Sequence, residues 1–127
     1  MKKLIIKKDE EKNYFPNVLF DNKKGRCEIN GESFMESPDV FYSPLINWLL
    51  EFIEENTKPL EFIFKLRYYN TASSKFIVEI LKILSIYKNK GYIVDIKWHI
   101  DNDDTDLEDD IEGFSIETDL PIEIIYA

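Results

Sequence analysis

Cysteine and histidine are almost absent from this 127-residue sequence, which contains one of each. Because Cys27 stands alone, an internal disulfide and a zinc site built from several cysteines are excluded, and the chain fits a reducing cytosol. Because His99 stands alone, a metal site with three histidines is excluded as well. We therefore expect neither a metal nor a cofactor.

Positive charge and long apolar runs are also scarce. The chain has 16 Lys and Arg residues against 25 Asp and Glu, and the net charge of -9 would repel nucleic acid, which is not an expected partner. No apolar run approaches the roughly 18 residues needed to cross a membrane. Residues 1–12 hold a short apolar run, Leu4 to Ile6, where a secretory signal needs about 7 to 15. The sequence predicts a cytoplasmic protein without a membrane partner.

Apolar residues are nevertheless plentiful enough for one compact domain. The chain is 44% hydrophobic and 14% aromatic, and no internal repeat interrupts it. Residues 3–7 and 17–30 are predicted to form strands, the second segment folding into a hairpin with Gly25 in the turn. Residues 121–127 are predicted to form the last strand.

The segment that follows the hairpin has the pattern of a helix. Apolar residues recur at helical spacing from Leu45 to Ile53. We expect Ser43 to be the N-cap, Pro44 to be the first helical residue, and the helix to end near Asn56.

The middle of the chain predicts a strand, a helix and a second strand, at residues 60–69, 72–89 and 92–101. Even-numbered positions of both strands are apolar, so Tyr68 is predicted to be buried. Tyr69 is then expected on the opposite face, available to a partner.

These elements together predict an α/β fold, an α+β sandwich over residues 1–127. We expect a mixed sheet of about five to six strands with an N-terminal hairpin. The helices should pack mainly on one face of the sheet, with the other face partly solvated.

An acidic stretch at residues 101–112 has the spacing of a calcium loop. Residues at relative positions 1, 3, 5, 7, 9 and 12 are Asp101, Asp103, Thr105, Leu107, Asp109 and Glu112. Asp106, however, occupies the position that needs glycine, and a strand precedes the loop where a helix should. A solvated loop leading into a short helical turn is therefore favoured.

Catalytic motifs are not evident. The chain has four glycines, no Gly-rich phosphate loop and no G-x-S-x-G elbow. His99 is predicted to be exposed and non-catalytic. A small enzyme with a carboxylate or His99 in a cleft remains an alternative, as does a plain structural adaptor.

A polar segment lies where the predicted strand 60–69 meets the next helix. Its residues are Asn70, Thr71, Ala72, Ser73 and Ser74. Asn70 or Thr71 would cap the helix through a side-chain oxygen. The same helix start could hold a phosphate on Thr71, with Lys75 in reach. From these local interactions alone, a plain cap is favoured.

The sequence YYNTASSKFIVEIL, around this segment, resembles the signature of the SiaC-type regulatory phosphoproteins. The resemblance extends over nearly the whole chain, with a departure at Met35, where a proline would be expected. It implies that Thr71 is reversibly phosphorylated. The residues implied to shape the partner-binding surface are Tyr69, Asn70, Ala72, Ser73, Ser74 and Lys75.

The resemblance also implies a fold similar to that of the STAS-type anti-sigma factor antagonists. The expected function is then that of a non-enzymatic bacterial partner-switching protein. Its implied partners are a Ser/Thr kinase, a PP2C-like phosphatase and an effector, for example a diguanylate cyclase in cyclic-di-GMP signalling and biofilm regulation.

Overall fold

A computed structural model describes residues 1–11 and 14–126 as a mixed sheet with three helices. In order, the elements are β1 (Leu4–Ile6), β2 (Asn17–Asp21), β3 (Arg26–Ser33), α1 (Pro38–Glu55), β4 (Leu60–Tyr69), α2 (Thr71–Asn89), β5 (Val94–Ile100), α3 (Thr105–Thr118) and β6 (Glu123–Tyr126). Within the described residues the strands form one six-stranded sheet in sequence order. The strands β1, β2 and β3 pair antiparallel, whereas β3 to β6 pair parallel through helical crossovers. The predicted mixed sheet and N-terminal hairpin are confirmed.

The three helices cover one face of the sheet. Trp48 of α1 packs on Phe20 of β2, and the ring centroids are 5.2 Å apart. Phe114 of α3 stacks on the fully buried Trp98 of β5 at 5.9 Å. The helix α2 packs against α1, for example where Tyr87 meets an aromatic ring of α1 at 5.7 Å. This layering confirms that the helices lie on one face.

The opposite face of the sheet carries paired charges. Glu61 lies 2.8 Å from the Lys97 ammonium and 3.1 Å from the Arg26 guanidinium, and Glu28 lies 3.1 Å from Lys65. The hydrogen bond from Lys97 is the main reason that the pKa of Glu61 falls below its usual value. This face is therefore partly solvated, as predicted.

The first helix begins earlier than predicted. Pro38 starts α1 after Ser37, so Ser43 is not the N-cap; its hydroxyl donates to the Asp39 carbonyl at 2.6 Å inside the helix. Pro44 lies in the second turn and cannot donate to the carbonyl four residues earlier. That carbonyl belongs to Val40, which is 72% exposed and can bond water instead. The predicted end near Asn56 is confirmed by its position as C-cap.

A bulge in β4 changes the predicted alternation near the strand's end. Leu66 pairs with Gly31 and Tyr68 with Glu32, which leaves Arg67 without an opposite residue. The side chains beyond the bulge consequently exchange faces. Tyr68 is 55% exposed, so its predicted burial is wrong. Tyr69 instead turns toward the helices, 5.8 Å from the Phe114 ring, and does not lie on the opposite face.

Most of the acidic stretch lies in the long helix α3, and not in a short helical turn. Asp104 caps α3 by accepting from the Leu107 N–H at 3.1 Å, and 14 helical residues follow. The buried side chains of Leu107 and Ile111 explain the difference, because helical spacing lets them reach the core. A helix over these residues is incompatible with a calcium loop, and no cluster of three or more metal-ligating side chains occurs in the described residues.

A membrane span requires a helix that is both long and strongly apolar. None of those in residues 1–11 and 14–126 is long and apolar enough to cross a bilayer.

Candidate functional site

Thr71 is the first residue of α2, at the point where the chain leaves the central part of the sheet. Asn70 is the N-cap, and its Oδ1 accepts from the Ser73 N–H at 2.9 Å. Of the two predicted caps, the structure therefore selects Asn70. Thr71 is exposed, and its hydroxyl is not needed for capping.

Asn70 is held from two further directions by the segment between β3 and α1. Its backbone N–H donates to the Ser33 carbonyl at 2.9 Å, and its Nδ2 donates to the Met35 carbonyl at 3.1 Å. Met35, the residue at which the chain departs from the family signature, is only 7% exposed. The backbone next to Thr71 is thus tied to a neighbouring strand as well as to its own helix.

Ser73 lies beneath the site and not on its surface. It is fully buried, and its Oγ lies 2.9 Å from the Ser33 hydroxyl, which is 2.7 Å from the Tyr42 hydroxyl. We call Ser33, Tyr42 and Ser73 the hydroxyl cluster. Burial raises the pKa of Tyr42 to about 12, so the cluster is neutral at physiological pH. The expectation that Ser73 forms part of an exposed binding surface is not met by this geometry.

The other predicted residues surround Thr71 at different depths. Ala72 and Lys75 are exposed, whereas Ser74 is half-buried and donates its hydroxyl to the Thr71 carbonyl at 2.6 Å. Those two exposed side chains and Thr71 are therefore directly available to a partner. Tyr69, Asn70 and Ser74 contribute only part of their surface.

A shallow groove of about 480 Å³ separates Thr71 from α3. The residues lining this Thr71 groove are Tyr69, Thr71, Ser74, Asp109, Asp110, Gly113, Phe114 and Glu117. The Tyr69 hydroxyl crosses it and donates to Asp110 Oδ2 at 2.9 Å. Burial first, and then the bond to Asp110, raise the pKa of Tyr69 well above its usual value.

The sequence interpretation missed the α3 side of this groove. Asp109 and Asp110 were not predicted to lie near Thr71, because the acidic stretch was expected to be mostly loop. Glu117 was missed because no element was predicted for residues 113–120. The spacing of Leu107, Ile111 and Phe114 was the available signal for a helix.

The enzyme alternative finds little support in the two other depressions. One, of about 940 Å³, is lined mainly by apolar side chains, among them Phe34 and Phe41. The other, of about 250 Å³, contains His99 between Lys65, Arg67 and Asp101. His99 is half-buried there rather than exposed as predicted. Neither of these two depressions combines depth with convergent polar groups.

Comparison with known proteins gives consistent matches. The family model of the SiaC family regulatory phosphoprotein matches residues 9–127. An uncharacterized protein of Pseudomonas aeruginosa (strain UCBPP-PA14) is 28% identical over 109 residues, which is 86% of each chain.

Solved structures extend the similarity to the complete fold. SiaC of Pseudomonas aeruginosa is 28% identical, with a TM-score of 0.89 and complete coverage of both chains. SiaC crystallised as the activator of the diguanylate cyclase SiaD from the same organism is 27% identical, with a TM-score of 0.90 and coverage of 98% and 99%. Since the family model spans nearly all of the sequence, the chain belongs to the SiaC family of regulatory phosphoproteins.

Proposed function

We propose that this chain is a non-enzymatic partner-switching protein and that Thr71 is its phosphorylation site. The observation that carries the proposal is the separation of two roles at the start of α2. Asn70 makes the capping bond, so the exposed Thr71 hydroxyl is available for modification without loss of the cap.

The start of a helix is a favourable place for an added phosphate. The first N–H groups of α2 are not used within the helix, and the helix dipole stabilises an anion there by about 0.3 to 2 kcal/mol. Phosphorylation should therefore leave α2 folded. Its effect would come from about 1.5 to 2 units of negative charge and added bulk on a docking surface.

The proposed partners are a Ser/Thr kinase, a PP2C-like phosphatase and an effector. Family membership supports a regulated phosphoprotein, and the relative that activates SiaD supports a diguanylate cyclase as effector. Thr71, Ala72 and Lys75 would make the central contacts, with Tyr69, Asn70 and Ser74 at the margin. Ser73 would support this surface from beneath. All of these interactions would take place in the cytoplasm, in cyclic-di-GMP signalling.

The experiment is phosphorylation of the purified chain by its proposed Ser/Thr kinase, followed by peptide mass spectrometry. We expect one phosphate, on Thr71, and none in Thr71→Ala. Thr105→Ala is the matched control, because Thr105 is also an exposed first residue of a helix capped by its neighbour. Phosphate at another residue, or its persistence in Thr71→Ala, would overturn the assignment.

A second measurement separates the switch from a plain adaptor. Binding of the proposed diguanylate cyclase effector to the unmodified and phosphorylated chains is compared by titration calorimetry. A switch from mostly bound to mostly free requires an affinity change of roughly 10⁴-fold. Equal affinities for the two forms would instead support the adaptor alternative.

A further inference from the structure

We propose that α3 is the element that responds to phosphate on Thr71, moving away from α2 as the Tyr69–Asp110 hydrogen bond is lost. The inference rests on the proposed phosphorylation of Thr71 and adds the structural change that would follow it. The helix α3 forms the wall of the Thr71 groove that faces the modified residue.

Three carboxylates of α3 lie on the wall of the Thr71 groove. Asp109, Asp110 and Glu117 of α3 line the same groove as Thr71. A phosphate on Thr71 would therefore share this shallow groove with three like charges. Like charges within one groove repel, and the repulsion is weakened by both the dielectric response of water and dissolved salt.

The helix α3 as a whole is strongly acidic. Its acidic residues are Asp106, Glu108, Asp109, Asp110, Glu112 and Glu117, and it contains no Lys, Arg or His. The ion pairs found among residues 1–11 and 14–126 lie elsewhere in the fold, so no cation within 4.0 Å offsets this charge. Added negative charge beside α3 would thus meet no cation on that helix.

Fewer buried residues attach α3 to the rest of the domain than attach the other two helices. Its buried residues are Leu107, Ile111 and Thr118. Half-buried Phe114 adds stacking on Trp98. Two hydrogen bonds also attach the helix, from the Tyr69 hydroxyl to Asp110 and from the Tyr126 hydroxyl to Glu108. By comparison, α1 buries eight residues and α2 buries seven. An element with few buried contacts opens at low free-energy cost.

The Tyr69–Asp110 bond connects these observations. Tyr69 is two residues from Thr71 and ends β4, while Asp110 faces the groove from α3. Repulsion of Asp110 by the phosphate would act directly on the acceptor of this bond. A partner that contacts the groove would then distinguish the two forms by the position of α3 as well as by the phosphate.

The test uses the full chain with phosphothreonine incorporated at position 71 during translation, so that it does not depend on the kinase. Hydrogen exchange detected by mass spectrometry is compared with that of the unmodified chain. We expect peptides from residues 105–118 to exchange about threefold or more faster in the phosphorylated chain. Peptides from α1 should be unchanged.

Two variants test the cause. Asp110→Asn keeps an oxygen acceptor for Tyr69 but removes the charge, and should reduce the phosphate effect by about half or more. Glu112→Gln is the matched control, because it removes one exposed charge from the same helix outside the groove and should leave the effect intact.

Unchanged or slower exchange in residues 105–118 of the phosphorylated chain would overturn the inference. Equal acceleration in α1 would overturn it as well, because the response would then be global. Either result leaves the kinase assay on Thr71 unaffected, so failure here is distinguishable from failure of the proposed function.

Discussion

Two neighbouring residues at the start of α2 have different tasks. Asn70 joins three structural parts through its backbone and side chain: its own helix, Ser33 and Met35. Thr71 makes none of these contacts and faces solvent. The Thr71 hydroxyl is therefore exposed on a backbone that is held in place at the preceding residue, Asn70.

The division of roles predicts unequal effects of two alanine substitutions. Asn70→Ala removes the cap acceptor and the donor to Met35, and should lower the free energy of unfolding by about 1 to 2 kcal/mol. Thr71→Ala should change it by no more than about 0.5 kcal/mol. Urea denaturation of both variants measures this difference. Equal losses would show that Thr71 shares the capping role.

Tyr42 of the hydroxyl cluster predicts a loss of stability at high pH. Its pKa is about 10 when unfolded and about 12 in the folded chain, where burial is the main cause. Because the folded-state pKa is the higher one, the stabilisation is complete below pH 10 and is lost as the pH rises toward 12.

The size of this effect is about 2 to 3 kcal/mol. The free energies of unfolding of the wild type and of Tyr42→Phe are measured between pH 9 and pH 12. The difference between the two proteins separates the contribution of Tyr42 from those of the other titrating groups. The variant should lose stability less steeply over this range. Parallel curves for the two proteins would contradict the role assigned to Tyr42.

At the scale of elements, the bulge in β4 and the position of α3 together form the site. The bulge at Arg67 turns Tyr69 toward α3 and Tyr68 toward solvent. Tyr69 then reaches Asp110 across the groove. Without this one-residue shift, the side chain that connects β4 to α3 would lie on the opposite face of the sheet.

Replacing Gly113 by alanine is predicted to stabilise the protein, because glycine is not needed for packing at this position. It lies within α3, and a Cβ there would meet nothing within 4 Å. Gly113→Ala should therefore raise the free energy of unfolding by about 0.5 to 1 kcal/mol through helix propensity.

The matched control is Gly91, which has the same empty surroundings but a φ of +100°. Gly91→Ala should be destabilising because L-residues rarely adopt that conformation. Urea denaturation of both variants should give changes of opposite sign. Destabilisation by Gly113→Ala would indicate that the groove requires glycine for its shape.

Local patterns predicted the elements well where neighbouring residues determine them. The strand 60–69 and the following helix were predictable because alternation changes to helical spacing within one segment. The start of α1 was missed since the sequence offers two Ser-Pro pairs, and Pro44 is tolerated inside the helix. The position of Thr71 beside a cap was likewise readable from residues 70–74.

Features that depend on distant partners were not predictable in this way. The bulge at Arg67 is defined by pairing with Gly31 and Glu32, more than 30 residues away. Burial of Ser73 depends on Ser33 and Tyr42, which no local pattern places nearby. The Thr71 groove arises only when α3 packs beside α2.

At the scale of the whole molecule, opposite charges are unevenly distributed. The open face of the sheet pairs its acids with Lys and Arg, as in the contacts of Glu61 with Lys97 and Arg26. The acids of α3 have no such partners among the described residues. Much of the net charge of -9 therefore remains uncompensated on one side of the molecule.

This distribution predicts that salt stabilises the protein. Raising NaCl from about 0.01 M to about 0.5 M shortens the screening length from about 30 Å to less than 8 Å, which weakens repulsion among distant acids more than attraction within close pairs. We expect the free energy of unfolding, measured by urea denaturation, to rise by roughly 1 kcal/mol. Choline chloride should give the same rise if screening, and not sodium binding, is the cause. A fall in stability with salt would mean that the ion pairs of the open face outweigh the repulsion.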